Sequence, residues 1–92
     1  MPKLRPDQIN AALATVPQWK KQAATISRTY VFKDFPAAIH FVTTVADLAE
    51  KAWHHPDIDV RWNRVTLTLT THDQGGLTEK DFNLAKQFDG LA

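Results

Sequence analysis

Three of the four histidines in this 92-residue chain fall in two short runs, Trp53-His54-His55-Pro56 and Thr71-His72. A histidine cluster can hold a metal, exchange protons, or form polar surface satisfied by its neighbours. A metal needs three or four convergent ligands. The chain has no HxxxH pair, and adjacent histidines on one backbone tend to diverge, which weighs against a metal. Proton exchange suits imidazole because it titrates near neutrality. Glu50 lies one helical turn before His54 and can reach the same place.

Other residues offer less. His40 falls on a polar helix face and reads as solvated surface. Ser27 is the only serine and lies in an expected strand, so no serine–histidine–carboxylate order is convincing. Gly75-Gly76 reads as a turn, since no Lys-Ser/Thr follows to make a phosphate loop. Asp81 reads as a helix cap, and Trp19 and Trp62 as core or rim aromatics.

The elements that must position the histidines follow from periodicity. A first helix is expected from about Pro6 to Val16, with Ile9, Ala12, Leu13 and Val16 on one face and Pro17 as the stop. Trp19–Gln22 and Thr25–Lys33 read as a hairpin; Ile26, Arg28, Tyr30 and Phe32 share a face that Arg28 interrupts. A long helix starts at an Asp34 cap, with Pro36 in its first turn, and runs to about Trp53. It carries two apolar stripes, one of Phe35, Ile39, Val42, Ala46, Ala49 and Trp53, the other of Phe41, Val45, Leu48 and Ala52. Together they span roughly 180°, against about 100° for a single core face. The second stripe is therefore either a subunit interface or the mark of a helix sunk deep in its own core.

Ile58, Val60 and Trp62, then Val65, Leu67 and Leu69, alternate with polar residues as two strands. Asn63-Arg64 is the expected turn, because Asn tolerates a left-handed backbone. That register sets Trp62 against Val65, Val60 against Leu67 and Ile58 against Leu69. Extended, it places His55 opposite His72, where facing Cβ atoms lie about 5 Å apart. After Gly75-Gly76 a last helix is expected, capped by Thr78 with Asp81 three residues on, stapled by Leu77 and Phe82, and ended by Gly90. The sum is an α+β fold of order α-β-β-α-β-β-α, a four-stranded antiparallel sheet with three helices on one face.

Composition bounds the function. At 92 residues the chain reads as one domain over residues 1–92, with 43% hydrophobic and 23% charged residues as in an ordinary globular protein. Eleven Lys plus Arg against ten Asp plus Glu leave no basic excess for nucleic acid. Without cysteine there is no disulfide staple and no cysteine zinc site. No signal peptide or membrane span is visible, so a cytoplasmic protein is expected.

The array Glu50-x3-His54-His55-Pro56-x5-Trp62-x9-His72-x8-Asp81 resembles the signature of the pterin-4a-carbinolamine dehydratases. Phe32-Lys33-Asp34-Phe35, Trp62-Asn63-Arg64-Val65, Leu69-Thr70-Thr71-His72 and Gly76-Leu77-Thr78 support the likeness, which runs from about Trp19 to the C-terminus. The resemblance implies loss of water from a 4a-hydroxytetrahydropterin to give quinonoid dihydropterin, without metal or cofactor. It implies His54 and His55 as acids toward the departing hydroxyl and His72 as base toward the N5 proton. Glu50, Thr70 and Thr71 would position the pterin, and Asp81 belongs to the same signature. Trp53 has no role in it. A homodimer or homotetramer is also implied. The other reading is a non-catalytic interaction protein on the same fold, whose mark would be a broken histidine trio; here the trio is whole.

Overall fold

The computed structural model describes residues 2–92. Its elements are α1 (Pro6–Leu13), β1 (Lys20–Gln22), β2 (Thr25–Val31), α2 (Phe35–Ala52), β3 (Asp57–Arg61), β4 (Arg64–Leu69), a 3-10 turn (His72–Gln74) and α3 (Glu79–Leu91). The sheet is antiparallel in the order β1-β2-β4-β3, and the helices pack on it. No helix among the described residues is long and apolar enough to cross a membrane.

Alternation in the central strands sorts the two faces. Val65, Leu67 and Leu69 are buried under the helices together with Ile26 and Tyr30. Thr66 and Thr68 point the other way, and Thr66 shares a 2.8 Å hydroxyl–hydroxyl bond with Thr29 across the ladder. Arg28, the interruption in the β2 stripe, sits 4.3 Å from the Tyr30 ring centroid and donates to Asp89 Oδ1 at 2.7 Å. Trp19 Nε1 and the Tyr30 hydroxyl donate to the same oxygen, tying the end of α3 to the sheet. Burial, together with the hydrogen bond and charge of Asp89, holds the Tyr30 hydroxyl protonated far above its ordinary range, with Arg28 opposing.

The second stripe of α2 faces the protein's own core, while the first is split between buried and exposed residues. Ala38, Phe41, Val45 and Ala49 are buried, because Tyr30 and Phe32 present their rings to Phe41 at 4.7 and 5.0 Å between centroids. Phe35 and Ile39, from the other stripe, remain 48% and 38% exposed. Asp34 caps the helix as expected, accepting from the Ala37 N–H at 2.9 Å.

Strand β2 stops at Val31, short of the expected Lys33, and three further features differ from expectation. Helix α1 ends at Leu13 rather than Val16, because Pro17 disfavours helical backbone at Val16, and Thr15 Oγ1 bonds the Ala12 carbonyl at 2.6 Å. Helix α3 continues through Gly90 to Leu91; the left-handed glycine is Gly75, with φ 73°, which closes the 3-10 turn.

The third difference is the β3–β4 register. Arg61 pairs with Arg64, Val60 with Val65 and Ile58 with Leu67, so the loop is Trp62-Asn63 and not Asn63-Arg64. Asn63 is held by Phe32, whose N–H donates to its carbonyl at 2.9 Å and whose carbonyl accepts from Asn63 Nδ2 at 2.8 Å. Arg64 is already in the strand, paired with Val31. The left-handed residue is therefore Trp62, with φ 50°. Because the slip is two residues, every side chain keeps its face. The continued ladder sets His55 opposite Thr70, not His72.

Candidate active site

The histidines are gathered where α2 ends. The chain leaves α2 through a Schellman motif: Trp53 N–H donates to the Glu50 carbonyl at 3.2 Å and His54 N–H to the Ala49 carbonyl at 3.1 Å. Trp53 takes the left-handed position, φ 54° and ψ 41°. A side chain there costs about 1–2 kcal/mol. The sharp turn sends His54 inward and leaves His55 at the surface.

On the other side, β4 stops at Leu69 and Thr71 pairs across an isolated bridge with Gly76. The 3-10 turn inside that loop begins at His72. A cleft of about 300 Å³ results, lined by Trp53, His54, His55, Thr70, His72 and Asp73. All three sequence-predicted histidines thus border one cleft, although the bridge, and not the hairpin register, delivers His72. A larger cavity of about 370 Å³ lies among the N-terminal segment, the β1–β2 turn and Gly75–Leu77; no histidine or carboxylate lines it.

Two of the imidazoles have carboxylate partners. His54 Nε2 lies 2.6 Å from Oδ1 of Asp81, which is fully buried. Oδ2 of Asp81 accepts from Thr71 Oγ1 at 2.8 Å and from the Thr78 N–H at 2.9 Å, the second being half of the expected capping box. Thr71 has one hydroxyl proton and gives it to Asp81, so Thr78, 2.9 Å away, donates to Thr71. A buried carboxylate is costly unless paired and hydrogen-bonded. Here the partners are complete, and no buried side-chain nitrogen or oxygen among the described residues is left without one. With Nε2 engaged by Asp81, Nδ1 is the ring nitrogen outside that contact.

His55 Nε2 lies 2.7 Å from Glu50 Oε1, and both side chains are more than half exposed. The Trp53 and His55 rings meet edge to face, 5.6 Å between centroids. His72 is exposed. Thr70 lines the cleft while its hydroxyl bonds the Ala24 carbonyl at 2.6 Å. Thr71 and Asp81 do not face the cleft; they stand behind His54. The cleft residues missed from sequence are Trp53 and Asp73, whose signal was adjacency to the two histidine runs. Among the described residues no group of three or more His, Asp or Glu side chains is arranged as a metal-ligand set.

The fold and this cleft define a small α+β protein with paired imidazoles and carboxylates suited to moving protons. The family model for pterin 4 alpha carbinolamine dehydratase matches residues 2–91. The chain belongs to that family. It is 58% identical over 91 residues to a protein of Chloroflexus aurantiacus provisionally named pterin-4-alpha-carbinolamine dehydratase, covering 99% of this chain and 98% of that one. Its fold matches the crystal structure of a Brucella melitensis protein described as a transcriptional coactivator/pterin dehydratase, with TM-score 0.94, 37% identity and 98% of each chain covered. A pterin dehydratase-like protein described as a RuBisCO assembly factor shares the fold alone, with TM-score 0.67 and 23% identity over 80% of this chain and 86% of that one.

Proposed function

We propose that this chain removes water from a 4a-hydroxytetrahydropterin to give the quinonoid dihydropterin, with His54, His55 and His72 moving the protons. The observation that carries the reading is the meeting of three imidazoles on one cleft, two of them backed by carboxylates. In the reaction the C4a–O bond breaks, the N5–H bond breaks, and a C4a–N5 double bond forms. The hydroxyl leaves as water after gaining one proton, and N5 loses one. No electrons are gained or lost overall.

The side chains divide the work accordingly. His54 and His55 are the acids toward the poor leaving group: one of them gives up the single proton required and becomes neutral, while its carboxylate partner, Asp81 or Glu50, holds the ring at Nε2. His72, at the start of the 3-10 turn, takes the N5 proton. Glu50 and the backbone of Thr70–His72 hold the pterin edge. General acid–base catalysis supplies typically about 10²–10⁴-fold, which a scaffold this small can deliver. The product is the form that a reductase returns to the tetrahydropterin after aromatic hydroxylation.

The same reading includes self-association, as a homodimer or homotetramer. Phe35 and Ile39 lie exposed on one stripe of α2, and burying them against a second copy is favourable.

Stopped-flow absorbance on chemically generated 4a-hydroxytetrahydropterin tests the activity. The expected result is dehydration well above the spontaneous rate, proportional to protein concentration. A rate equal to the spontaneous one would overturn the reading and leave the chain as a non-catalytic interaction protein.

A further inference from the structure

Trp53 is poorly placed for stability. It occupies the left-handed position of a Schellman motif, which glycine fills at no steric cost. Its side chain is 73% exposed, so burial does not offset the backbone strain. Nor does Trp53 make a side-chain hydrogen bond to another described residue. What the position provides is an aromatic plane on the wall of the histidine cleft, set edge to face against His55.

A reduced pterin offers that plane a partner. Its edges carry donors and acceptors that polar groups can read. Its aminopyrimidinone half is flat along the conjugated C2–N3–C4 portion, away from the tetrahedral C4a, and presents there a face that polar groups leave bare. Aromatic side chains hold heterocyclic bases by such faces. We infer that Trp53 is a substrate-binding residue whose indole stacks on the pyrimidinone half of the pterin and so fixes C4a and N5 against the histidines. The inference rests on the dehydratase reading. The stack is made on the C2–N3–C4 part of that ring, whose bonds do not change, so it acts largely alike in ground and transition states and shows chiefly in KM.

The test uses Trp53→Ala, Trp53→Phe and Trp53→Gly in the full chain. Trp53→Ala should raise KM for the 4a-hydroxypterin about 10-fold, with kcat changed far less. Trp53→Phe, which keeps a ring, should restore most of the loss. Trp53→Gly should melt no lower than the parent while sharing the KM defect of Trp53→Ala. Titration with 7,8-dihydrobiopterin should quench tryptophan fluorescence in the parent more than in Trp53→Phe, since Trp19 and Trp62 are common to both.

An unchanged KM in Trp53→Ala, or a KM as poor in Trp53→Phe as in Trp53→Ala, overturns the stacking role. So does a KM change that tracks a change in sedimentation coefficient, which would make Trp53 an association residue. Quenching specific to Trp53 without any turnover by the parent would keep the stacking role and overturn the dehydratase reading. Neither quenching nor turnover would overturn both.

Discussion

His54 Nε2 and Asp81 Oδ1 lie 2.6 Å apart, joining the second residue past α2 to the third residue of α3. Asp81 is tied at its other oxygen to Thr71 and to the N–H of Thr78, so the histidine is anchored to a helix terminus rather than to a mobile side chain. The bond also fixes which ring nitrogen is left for the cleft.

Asp81→Asn tests that anchoring. The amide oxygen can still accept from Thr78 and Thr71, but its NH2 faces His54. Nε2 must then act as acceptor, and the ring proton moves to Nδ1, the nitrogen that should exchange it. A fall in kcat of about 10²-fold is expected, with a small loss of thermal stability. Asp81→Ala should also cost about 1–3 kcal/mol of stability by stripping buried donors of their acceptor. Steady-state kinetics and thermal melts on both variants check this.

Much of this was readable from the chain, for physical reasons that differ by residue. The elements of the sheet came from strict alternation in Val65, Leu67 and Leu69, and their faces survived a register error because that error was two residues long. The error arose at Trp62, since nothing in a tryptophan announces a left-handed backbone. His72 reached the cleft only through the Thr71–Gly76 bridge, a contact without a local pattern. The capping box identified Asp81, but its bond to His54 spans 27 residues and depends on how α2 and α3 meet. Likewise, both stripes of α2 are apolar, and only the rings of Tyr30 and Phe32 decide which is core.

Tyr30 gives a prediction at alkaline pH. Burial and Asp89 raise its folded-state pKa above the ordinary value of 10.0, so above that pH the unfolded chain releases a proton that the folded chain keeps. Stability is therefore full below the ordinary value and declines as pH rises past it. Melting temperatures measured from pH 8 to 11 should fall more steeply in the parent than in Tyr30→Phe, which has no hydroxyl to ionise. Parallel slopes would remove Tyr30 from the alkaline response.

Association can be tested at α2 without disturbing the core, because Phe35 and Ile39 are exposed while Phe41 and Val45 are not. Sedimentation velocity at micromolar concentration should show the parent as a dimer or tetramer of 10.4 kDa chains. Ile39→Glu and Phe35→Glu should shift it toward the single chain, with far-ultraviolet dichroism unchanged. A parent that sediments as 10.4 kDa at every concentration would refute self-association.

The histidines themselves separate by what lies behind them. His55 and His72 are exposed, so alanine at either leaves no void and no buried group unpaired, and melting should barely change. Their turnover should fall by about 10²-fold or more, appearing in kcat because proton transfer acts in the transition state. His54→Ala differs: it strands Oδ1 of the buried Asp81, and the melt should drop by an amount equivalent to about 1–3 kcal/mol. Glu50→Gln, at an exposed pair, should cost under about 1 kcal/mol of stability. Exhaustive chelation should leave the parent fully active, since in the proposed mechanism each step is a proton passing between imidazole and pterin. Activity lost to chelator and restored by zinc would replace this mechanism with a metal-bound one, and full activity in all three alanine variants would remove the histidines from the chemistry altogether.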